Sequence, residues 1–279
     1  MDYVTERRRR SNNEIASYLK LDVANTKVYH FADGEILFES YESFRGSNVY
    51  IIQSTCCPAT ENLMEILLCI DACKRADAKS VNCLIPYFGY ARQDRMAKPR
   101  QPISARLVAD LLTTAGANKI ITTDLHVPQI QGFFKIPVDE IAPVSLFADY
   151  FKTLNLKNTV CVSPDHGGAL RTSRLAKLID LPLAIVDKRR PRPNESYVYG
   201  IVGDIVGKTC IIVDDIVDTA GTLCNTAEKL IELGAKEVYA AITHGVLSND
   251  AVEKIDNSAI KKLIITNTIP LNKKSSKNK

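Results

Sequence analysis

The stretch IIVDDIVDTAGT, at residues 211–222, is the most informative part of the sequence about the fold, because an apolar run passes through three acidic residues directly into a helical pattern. The β-branched run at its start is typical of a strand that is buried on both faces of a parallel sheet. The apolar spacing that follows predicts a helix, and Gly234 is placed to end it. A strand, a short turn and a helix in this order are the unit from which α/β folds are built.

The same alternation extends through the rest of the chain. Further buried strands are predicted at residues 49–53, 81–85, 119–123, 159–162, 183–186, 238–242 and 263–266. Helices are predicted at residues 63–73, with Thr60 as the N-cap, and at residues 104–115, 169–179 and 222–233. We therefore predict an α/β fold with mainly parallel sheets flanked by helices.

A stretch that lacks both periods, residues 136–145, separates two similar halves. This pattern predicts an N-terminal domain at residues 11–141 and a C-terminal domain at residues 142–270. Residues 1–10 and 271–279 are expected to be solvated basic tails, and the net charge of +4 arises in them. Because these cations are not spread over a folded face among aromatic side chains, nucleic acid is not an expected partner.

Composition narrows the class of protein further. Hydrophobic residues make up 46% and charged residues 24%, which is ordinary for a globular protein, and no apolar run is long enough to cross a membrane. No apolar segment follows the N-terminal arginines, so no secretory signal is predicted and a cytoplasmic location is expected. The eight cysteines form no CxxC pair, which favours reduced, buried thiols over a metal site or disulfides.

The acidic turn after residue 213 is the sharpest candidate for chemistry. Asp214 and Asp215 can accept hydrogen bonds from vicinal hydroxyls or hold a metal at the carboxyl end of a strand. Gly221 permits close backbone approach, and Thr219 and Thr222 add hydroxyls at a helix N-terminus that favours phosphate. The alternative is a capped helix after an acidic turn.

A dense cationic segment, DKRRPRPN at residues 187–194, follows another predicted strand. Phosphoryl transfer from ATP needs positive groups near the transferred phosphate oxygens, and lysine with arginine supplies a point charge and a planar fork. A solvated basic loop or a patch of the nuclear-import type is the alternative.

Four more segments carry weaker signals. FADGE at residues 31–35 and PYFGYARQDR at residues 86–95 combine aromatic rings that can sandwich a purine with charged groups, although a strand-end turn and a core edge would explain them equally. His126 and Asp165 each follow a strand in equivalent positions of the two halves, where a metal–triphosphate could meet both. A lone histidine is more often structural.

Taken together, these segments resemble the ribose-phosphate diphosphokinase (phosphoribosyl-diphosphate synthetase) family, from residue 11 to residue 271. They are FADGE, PYFGYARQDR, ITTDLHVPQIQGFF, VSPDHGG, VDKRRPRPN and IIVDDIVDTAGT, in this order. The resemblance implies two phosphoribosyltransferase-like domains, the first binding ATP and the second ribose 5-phosphate, with the active site between them.

Carried over by position, the resemblance also implies residue roles. Lys188 and Arg190 would be catalytic, and His126 and Asp165 would hold Mg²⁺. The implied ATP-binding residues are Phe31, Asp33, Gly34, Glu35, Arg92 and Gln93. The implied ribose-5-phosphate-binding residues are Arg190, Asp214, Asp215, Asp218, Thr219, Ala220, Gly221 and Thr222. The implied reaction moves diphosphate from ATP to O1 of ribose 5-phosphate and releases AMP.

The resemblance further implies a homo-oligomer of dimers assembled into a hexamer, regulated by phosphate and nucleoside diphosphate, with no membrane partner. Family members begin with a short strand, whereas only residue 11 onward matches, so the first strand is expected to be missing. They also continue past the lysine-rich tail into a final helix, so a loss of apolar cover is expected. Two other functions stay open: a non-catalytic regulatory paralogue in a hetero-oligomer, and a phosphoribosyltransferase.

Overall fold

A computed structural model describes the backbone of residues 2–4, 9–192 and 195–271, and the side chains of residues 13–187 and 200–271. Contacts divide the chain into two compact units, Met1–Ile141 and Ala142–Lys279. Within the described residues, no helix has both the length and the apolar character that a membrane crossing requires.

The first unit is a six-stranded, all-parallel sheet with helices and one separate hairpin. Its strands are β1 (Asp2–Val4), β2 (Asp22–Val23), β3 (Thr26–His30), β4 (Ile36–Ser40), β5 (Asn48–Ile52), β6 (Ser80–Ile85), β7 (Lys119–Thr123) and β8 (Val138–Ile141). Its helices are α1 (Arg9–Leu19), α2 (Ala59–Arg75) and α3 (Ser104–Ala115), with a 3-10 helix at Pro128–Phe133. The sheet order is β2-β1-β5-β6-β7-β8, and β3 pairs with β4 as an antiparallel hairpin.

Side chains that alternate along the strands fill the core of this unit. Val81, Cys83 and Ile85 of β6 are fully buried in one cluster with Ile70 of α2 and Leu112 of α3. The alternate positions of β5 and β6 point to the opposite face of the sheet, where they pack in a smaller cluster that includes Ala16 of α1. Both faces of the sheet are thus covered, which is why these strands read as nearly continuous apolar runs.

Three expectations for this unit are corrected. Asp2–Val4 form a strand that pairs in parallel with β2 and β5, so the first strand is present and the segment is not wholly a solvated tail. Apolar Tyr3 and Val4 have the β propensity that the basic residues after them hid. Thr60 is not the N-cap of α2, because the helix already begins at Ala59 after Pro58. The strand β8 lies within residues 136–145, where no strand was predicted. It was missed because four residues are too few to show a clear period.

The second unit is also a six-stranded sheet between helices. Its strands are β9 (Thr159–Ser163), β10 (Leu183–Arg192), β11 (Glu195–Val202), β12 (Thr209–Val217), β13 (Glu237–Gly245) and β14 (Ile260–Ile265). Its helices are α4 (Val144–Thr153), α5 (Ala169–Leu178), α6 (Gly221–Glu232) and α7 (Ala251–Asp256). The order is β11-β10-β9-β12-β13-β14, and every pair is parallel except the hairpin of β10 and β11.

The strand β12 is central and buried on both faces. Cys210 and Ile212 belong to the cluster that packs under α6, whereas Ile211 and Val213 belong to the cluster under α4 and α5. The predicted α/β fold with parallel sheets flanked by helices is confirmed in both units.

The basic segment was predicted to follow a strand, but its first part is instead a continuation of that strand. The backbone of residues 187–192 continues β10 and pairs with β11, with irregular register after Asp187 and after Arg189. The side chains of Lys188 and Arg190 lie outside the described residues, so their catalytic roles stay predictions.

The cysteines are free thiols, as predicted, and all except Cys57 are buried. Desolvation by burial raises the pKa of Cys161 to about 12 and, against a smaller opposing effect of Lys208, that of Cys210 to about 11. Such thiols are largely protonated at neutral pH and therefore poor nucleophiles and metal ligands.

A pair of adjacent leucines on α3 tests the assignment of the first core. Leu112 is fully buried and Leu111 is 38% exposed. Leu112→Ala should lower the free energy of unfolding by about 2–5 kcal/mol, because it leaves a cavity. Leu111→Ala, the matched control, should change it by about 0.5 kcal/mol or less. Urea unfolding followed by circular dichroism measures both, and equal effects would contradict the assignment.

Candidate active site

The end of β12 and the start of α6 form a compact acidic turn. Asp215 is buried and Asp214 is half-buried in the last part of the strand. Ala220 has a left-handed backbone, with φ +62°, and it is the N-cap of α6, which begins at Gly221. The backbone N–H of Ser248 donates to the carbonyl of Asp218 at 2.9 Å, so the segment after β13 holds the turn in place. The first N–H groups of α6 are consequently presented at the carboxyl edge of the sheet, where an anion would be favoured.

Arg171, in the first turn of α5, is the cation that faces the two carboxylates. Its Nη1 lies 3.6 Å from Oδ1 of Asp215 and 3.9 Å from Oδ1 of Asp214. Burial, followed by the neighbouring Asp215 carboxylate, raises the pKa of Asp214 well above its usual value, and Arg171 only partly opposes this rise. Ionisation of Asp214 is thus disfavoured, and a hydroxyl donor or a cation bound beside it would favour the ionised form.

A second loop lies at the same edge of the sheet, after the adjacent strand β9. The Gly168 N–H donates to Oδ1 of Asp165 at 3.0 Å, and Oγ of Ser163 donates to the Asp165 carbonyl at 2.6 Å. The bond from Gly168 orients the carboxylate, and the bond from Ser163 holds the backbone of the same residue. On the other side of β9, Asp187 of β10 lies 3.3 Å from His166 Nε2. Adjacent parallel strands β10, β9 and β12 therefore bring three acidic positions to one edge.

In the first unit, the predicted ATP-binding segment at residues 31–35 is the tight turn of the β3–β4 hairpin. The Phe31 N–H donates to the Glu35 carbonyl at 2.8 Å, and the Glu35 N–H donates to Oδ1 of Asp33 at 3.0 Å. Gly34 has φ +94°, a conformation that favours glycine. The Phe31 ring is 51% exposed, which leaves it available for stacking against a base.

Arg92 and Gln93 lie in the turns between β6 and α3. The Gln93 N–H donates to the carbonyl of Tyr90, whose φ is +66°, and the Gln93 side chain accepts a 2.5 Å hydrogen bond from Oγ of Ser104. Gln93 is therefore tied to the start of α3, whereas Arg92 is exposed. The hydrogen bonds of Gln93 therefore hold the backbone next to Arg92.

The aromatic residues before this turn are part of the core. Tyr87 and Phe88 are buried, and the Phe88 ring packs edge-on against Phe134 at 5.6 Å between ring centroids. The core-edge interpretation of this segment is therefore correct for these two rings, and they cannot sandwich a purine. Exposed aromatic surface at the predicted ATP positions comes from Phe31.

His126 is half-buried just past the end of β7. Asp124 turns the chain with φ +43°, and the Leu125 N–H donates to Oε1 of Glu140 at 2.9 Å. The two predicted Mg²⁺ ligands, His126 and Asp165, thus each follow a parallel strand of their own unit, as their sequence positions suggest.

Sequence reasoning missed Arg171 and Asp187 as members of the acidic edge. Arg171 stands three residues after Gly168, so a cation in the first turn of the helix that follows a glycine pair was the signal available. The carboxylates that Arg171 faces could not be identified from the sequence, because Asp214 and Asp215 lie far from it along the chain.

The chain matches two family models: the N-terminal domain of ribose phosphate pyrophosphokinase over residues 4–116, and the phosphoribosyl synthetase-associated domain over residues 169–279. It is 54% identical to the ribose-phosphate pyrophosphokinase of Oceanobacillus iheyensis, over 93% of this chain and 82% of the relative. It is also 54% identical to that of Bacillus subtilis, over 92% and 81% respectively.

A solved structure agrees with these matches. The phosphoribosylpyrophosphate synthetase from Mycobacterium smegmatis superimposes with a TM-score of 0.90 and 39% sequence identity, covering 98% of this chain and 90% of that one. The similarity covers both units and is therefore not limited to one motif.

The raised pKa of Asp214 gives stability a definite pH dependence. The native state binds this proton more tightly than the unfolded chain, so the wild type loses stability as pH rises from about 4 toward the raised pKa. Asp214→Asn lacks the titrating group, and its stability relative to wild type should therefore grow with pH across that window.

Asp250→Asn is the matched control for this prediction. A hydrogen bond from Lys254 lowers the pKa of Asp250, so stability from this carboxylate is present above its unfolded pKa and is lost as pH falls. This variant should fall further behind wild type as pH rises. Urea midpoints measured at a series of pH values test both variants. Parallel profiles for Asp214→Asn and wild type would refute the raised pKa of Asp214.

Proposed function

Because the chain belongs to the ribose-phosphate pyrophosphokinase family, we propose that it transfers diphosphate from ATP to O1 of ribose 5-phosphate, producing 5-phosphoribosyl 1-diphosphate and AMP. The observation that carries this proposal is the acidic turn at the end of β12, where paired carboxylates adjoin a helix N-terminus. A sugar phosphate has the matching chemistry, with vicinal hydroxyls at one end and a dianion at the other.

The phosphate of ribose 5-phosphate would lie against residues 218–222. The backbone amides at the start of α6 and the Thr219 and Thr222 hydroxyls can donate to its oxygens. Asp214 and Asp215 precede this turn on the same strand, so their carboxylates can accept hydrogen bonds from the ribose hydroxyls. Arg171 would balance their charge and fix their orientation.

The nucleotide would be bound by the first unit. The exposed Phe31 ring offers a stacking surface, and the hydrogen-bonded turn at residues 31–35 presents Asp33 and Glu35 beside it. Arg92 adds an exposed guanidinium that can contact phosphate oxygens. Gln93 is hydrogen-bonded to Ser104 and would both position the Arg92 guanidinium and bind ATP.

His126 and Asp165 are the proposed protein ligands of a Mg²⁺ that would bind together with the triphosphate, and the Asp165 carboxylate supplies the kind of oxygen ligand that Mg²⁺ prefers. Mg²⁺ in phosphoryl-transfer sites typically takes one or two protein ligands and completes its shell with water and phosphate oxygens. The Asp165 carboxylate is already oriented by the Gly168 N–H. When bound, the ion supplies positive charge to the phosphate oxygens.

In the proposed step, O1 of ribose 5-phosphate forms a bond to the β-phosphorus of ATP. The bond between that phosphorus and the oxygen that bridges it to the α-phosphorus breaks. The bridging oxygen leaves on AMP, and the O1 proton is released. Lys188 and Arg190 would stabilise the charge that develops on the transferred group. Positioning by the residues above would provide the rest of the rate acceleration.

We also propose that the chain forms a homo-oligomer. Leu146 of α4 and Leu170 of α5 are 64% and 61% exposed, so two large apolar side chains lie on the surface of helices that pack against each other. Exposed apolar patches can mark protein–protein contacts. The mass of the particle measured by light scattering at the assay concentration would test this, since a monomer would rule it out.

One assay tests the proposed activity together with its need for Mg²⁺ and for Lys188. The chain should release AMP from ATP and ribose 5-phosphate only with Mg²⁺, and Lys188→Ala should lower kcat by about 10²- to 10³-fold, because a charge-stabilising group is lost. Lys208→Ala is the matched control, since this lysine pairs with Asp204 in a turn before β12 and should be dispensable.

Other results distinguish the remaining functions. Turnover of a free base with 5-phosphoribosyl 1-diphosphate, without turnover of ATP, would indicate a phosphoribosyltransferase. Substrate binding without any turnover would indicate a regulatory paralogue. Either result would overturn the proposed reaction.

The adenine contact has its own test. Phe31→Ala should raise KM for ATP with little change in KM for ribose 5-phosphate, by roughly 10-fold if stacking contributes about 1–1.5 kcal/mol. Tyr18→Ala removes another exposed aromatic ring, 89% exposed on α1, and should leave both KM values unchanged. Equal KM values for ATP in Phe31→Ala and wild type would remove Phe31 from the nucleotide site.

A further inference from the structure

A cluster of metal-ligating side chains lies in the first unit, apart from the residues discussed so far. His30 ends β3, and Glu61 and Glu65 stand four residues apart on α2. One potential ligand atom from each lies within 4.8 Å of the other two, and among the described residues this is the one such group of three or more.

The spacing of these atoms suits a metal better than it suits hydrogen bonds. Nε2 of His30 is 3.6 Å from Oε1 of Glu61 and 3.4 Å from Oε1 of Glu65. An N–H···O hydrogen bond is usually about 2.9 Å long. Two ligands about 2.1 Å from a tetrahedral zinc ion are separated by about 3.4 Å, which is the spacing seen here.

The surroundings of Glu65 resemble the second layer of a metal site. Its side chain is only 4% exposed, and its Oε2 accepts a 2.8 Å hydrogen bond from Nε2 of Gln53. The Gln53 amide is itself held by Oδ1 of Asn62 at 3.2 Å. This chain of contacts leaves Oε1 directed at His30, and metal-ligating carboxylates are commonly oriented by hydrogen bonds of this kind.

Charge favours a dication at the same point. Two carboxylates at i and i+4 on one helix repel each other, and burying one of them has a further cost. The ligand side chains of His30 and Glu61 are 39% and 34% exposed, so an ion and a water molecule can reach the cluster from solvent.

We propose that His30, Glu61 and Glu65 form a binding site for a divalent first-row metal ion, best suited to Zn²⁺ with water as the fourth ligand. Imidazole with two carboxylates is a donor set that zinc accepts, whereas Mg²⁺ prefers oxygen ligands. Since His30 immediately precedes Phe31, the ion would fasten the start of the residue 31–35 turn to α2. That consequence rests on the proposed function, but ion binding does not.

Zn²⁺ binding to the chelator-stripped full chain tests the site by isothermal titration in the absence of nucleotide. Wild type should bind Zn²⁺ stoichiometrically, and His30→Gln and Glu65→Gln should each weaken binding by at least about 10-fold. His126→Ala and Cys57→Ser are the controls, because they remove the proposed Mg²⁺ ligand and the exposed thiol, and neither should change the affinity at this site.

A spectroscopic measurement keeps the test independent of folding defects. Co²⁺ in place of Zn²⁺ should give visible absorption typical of tetrahedral coordination, and His30→Gln, at a partly exposed position, should abolish it while far-ultraviolet circular dichroism stays unchanged. The proposal is overturned if wild type binds no stoichiometric Zn²⁺, or if His30→Gln and Glu65→Gln bind it as tightly as wild type. The cluster would then be a polar contact between the imidazole and two carboxylates that holds no metal.

Discussion

The contact between Arg171 and the carboxylates of Asp214 and Asp215 is the interaction on which the second unit's site depends. A parallel strand that is buried on both faces delivers two acidic side chains to its carboxyl end, where desolvation penalises their charge. One guanidinium from α5 offsets part of that penalty. The penalty that remains on the ionised carboxylates would be relieved by a bound hydroxyl donor or cation, so the edge is suited to binding at some cost in stability.

The two units use the same means to present functional groups. In each, a parallel strand ends in a turn that contains a residue with positive φ: Asp124 after β7 and Ala220 after β12. Tyr90 has the same property in the turn after β6. These residues redirect the chain sharply, and local hydrogen bonds hold the turns, so the side chains and amides that follow are preorganised on a rigid sheet.

The cluster of His30, Glu61 and Glu65 shows how the first unit can support its exposed hairpin turn. The antiparallel β3–β4 pair is separate from the main sheet, and a two-stranded hairpin needs packing against another element to be stable. Contact between His30 and the acidic face of α2 supplies part of that support. The hairpin turn that carries Phe31 is thereby linked to the helix that covers the core.

Period, glycine placement and the order of motifs are properties of neighbouring residues, so the sequence alone predicted the α/β class, most buried strands, the turn at residues 218–222 and the family. Strands without a readable period, such as Asp2–Val4 and Val138–Ile141, became visible only through their pairing. The same is true of the burial of Phe88, of the partners of Arg171 and of the approach of His30 to α2. These contacts could be found only in the folded chain, because each joins residues that are distant in sequence and that meet when strands align in a sheet and helices cover it.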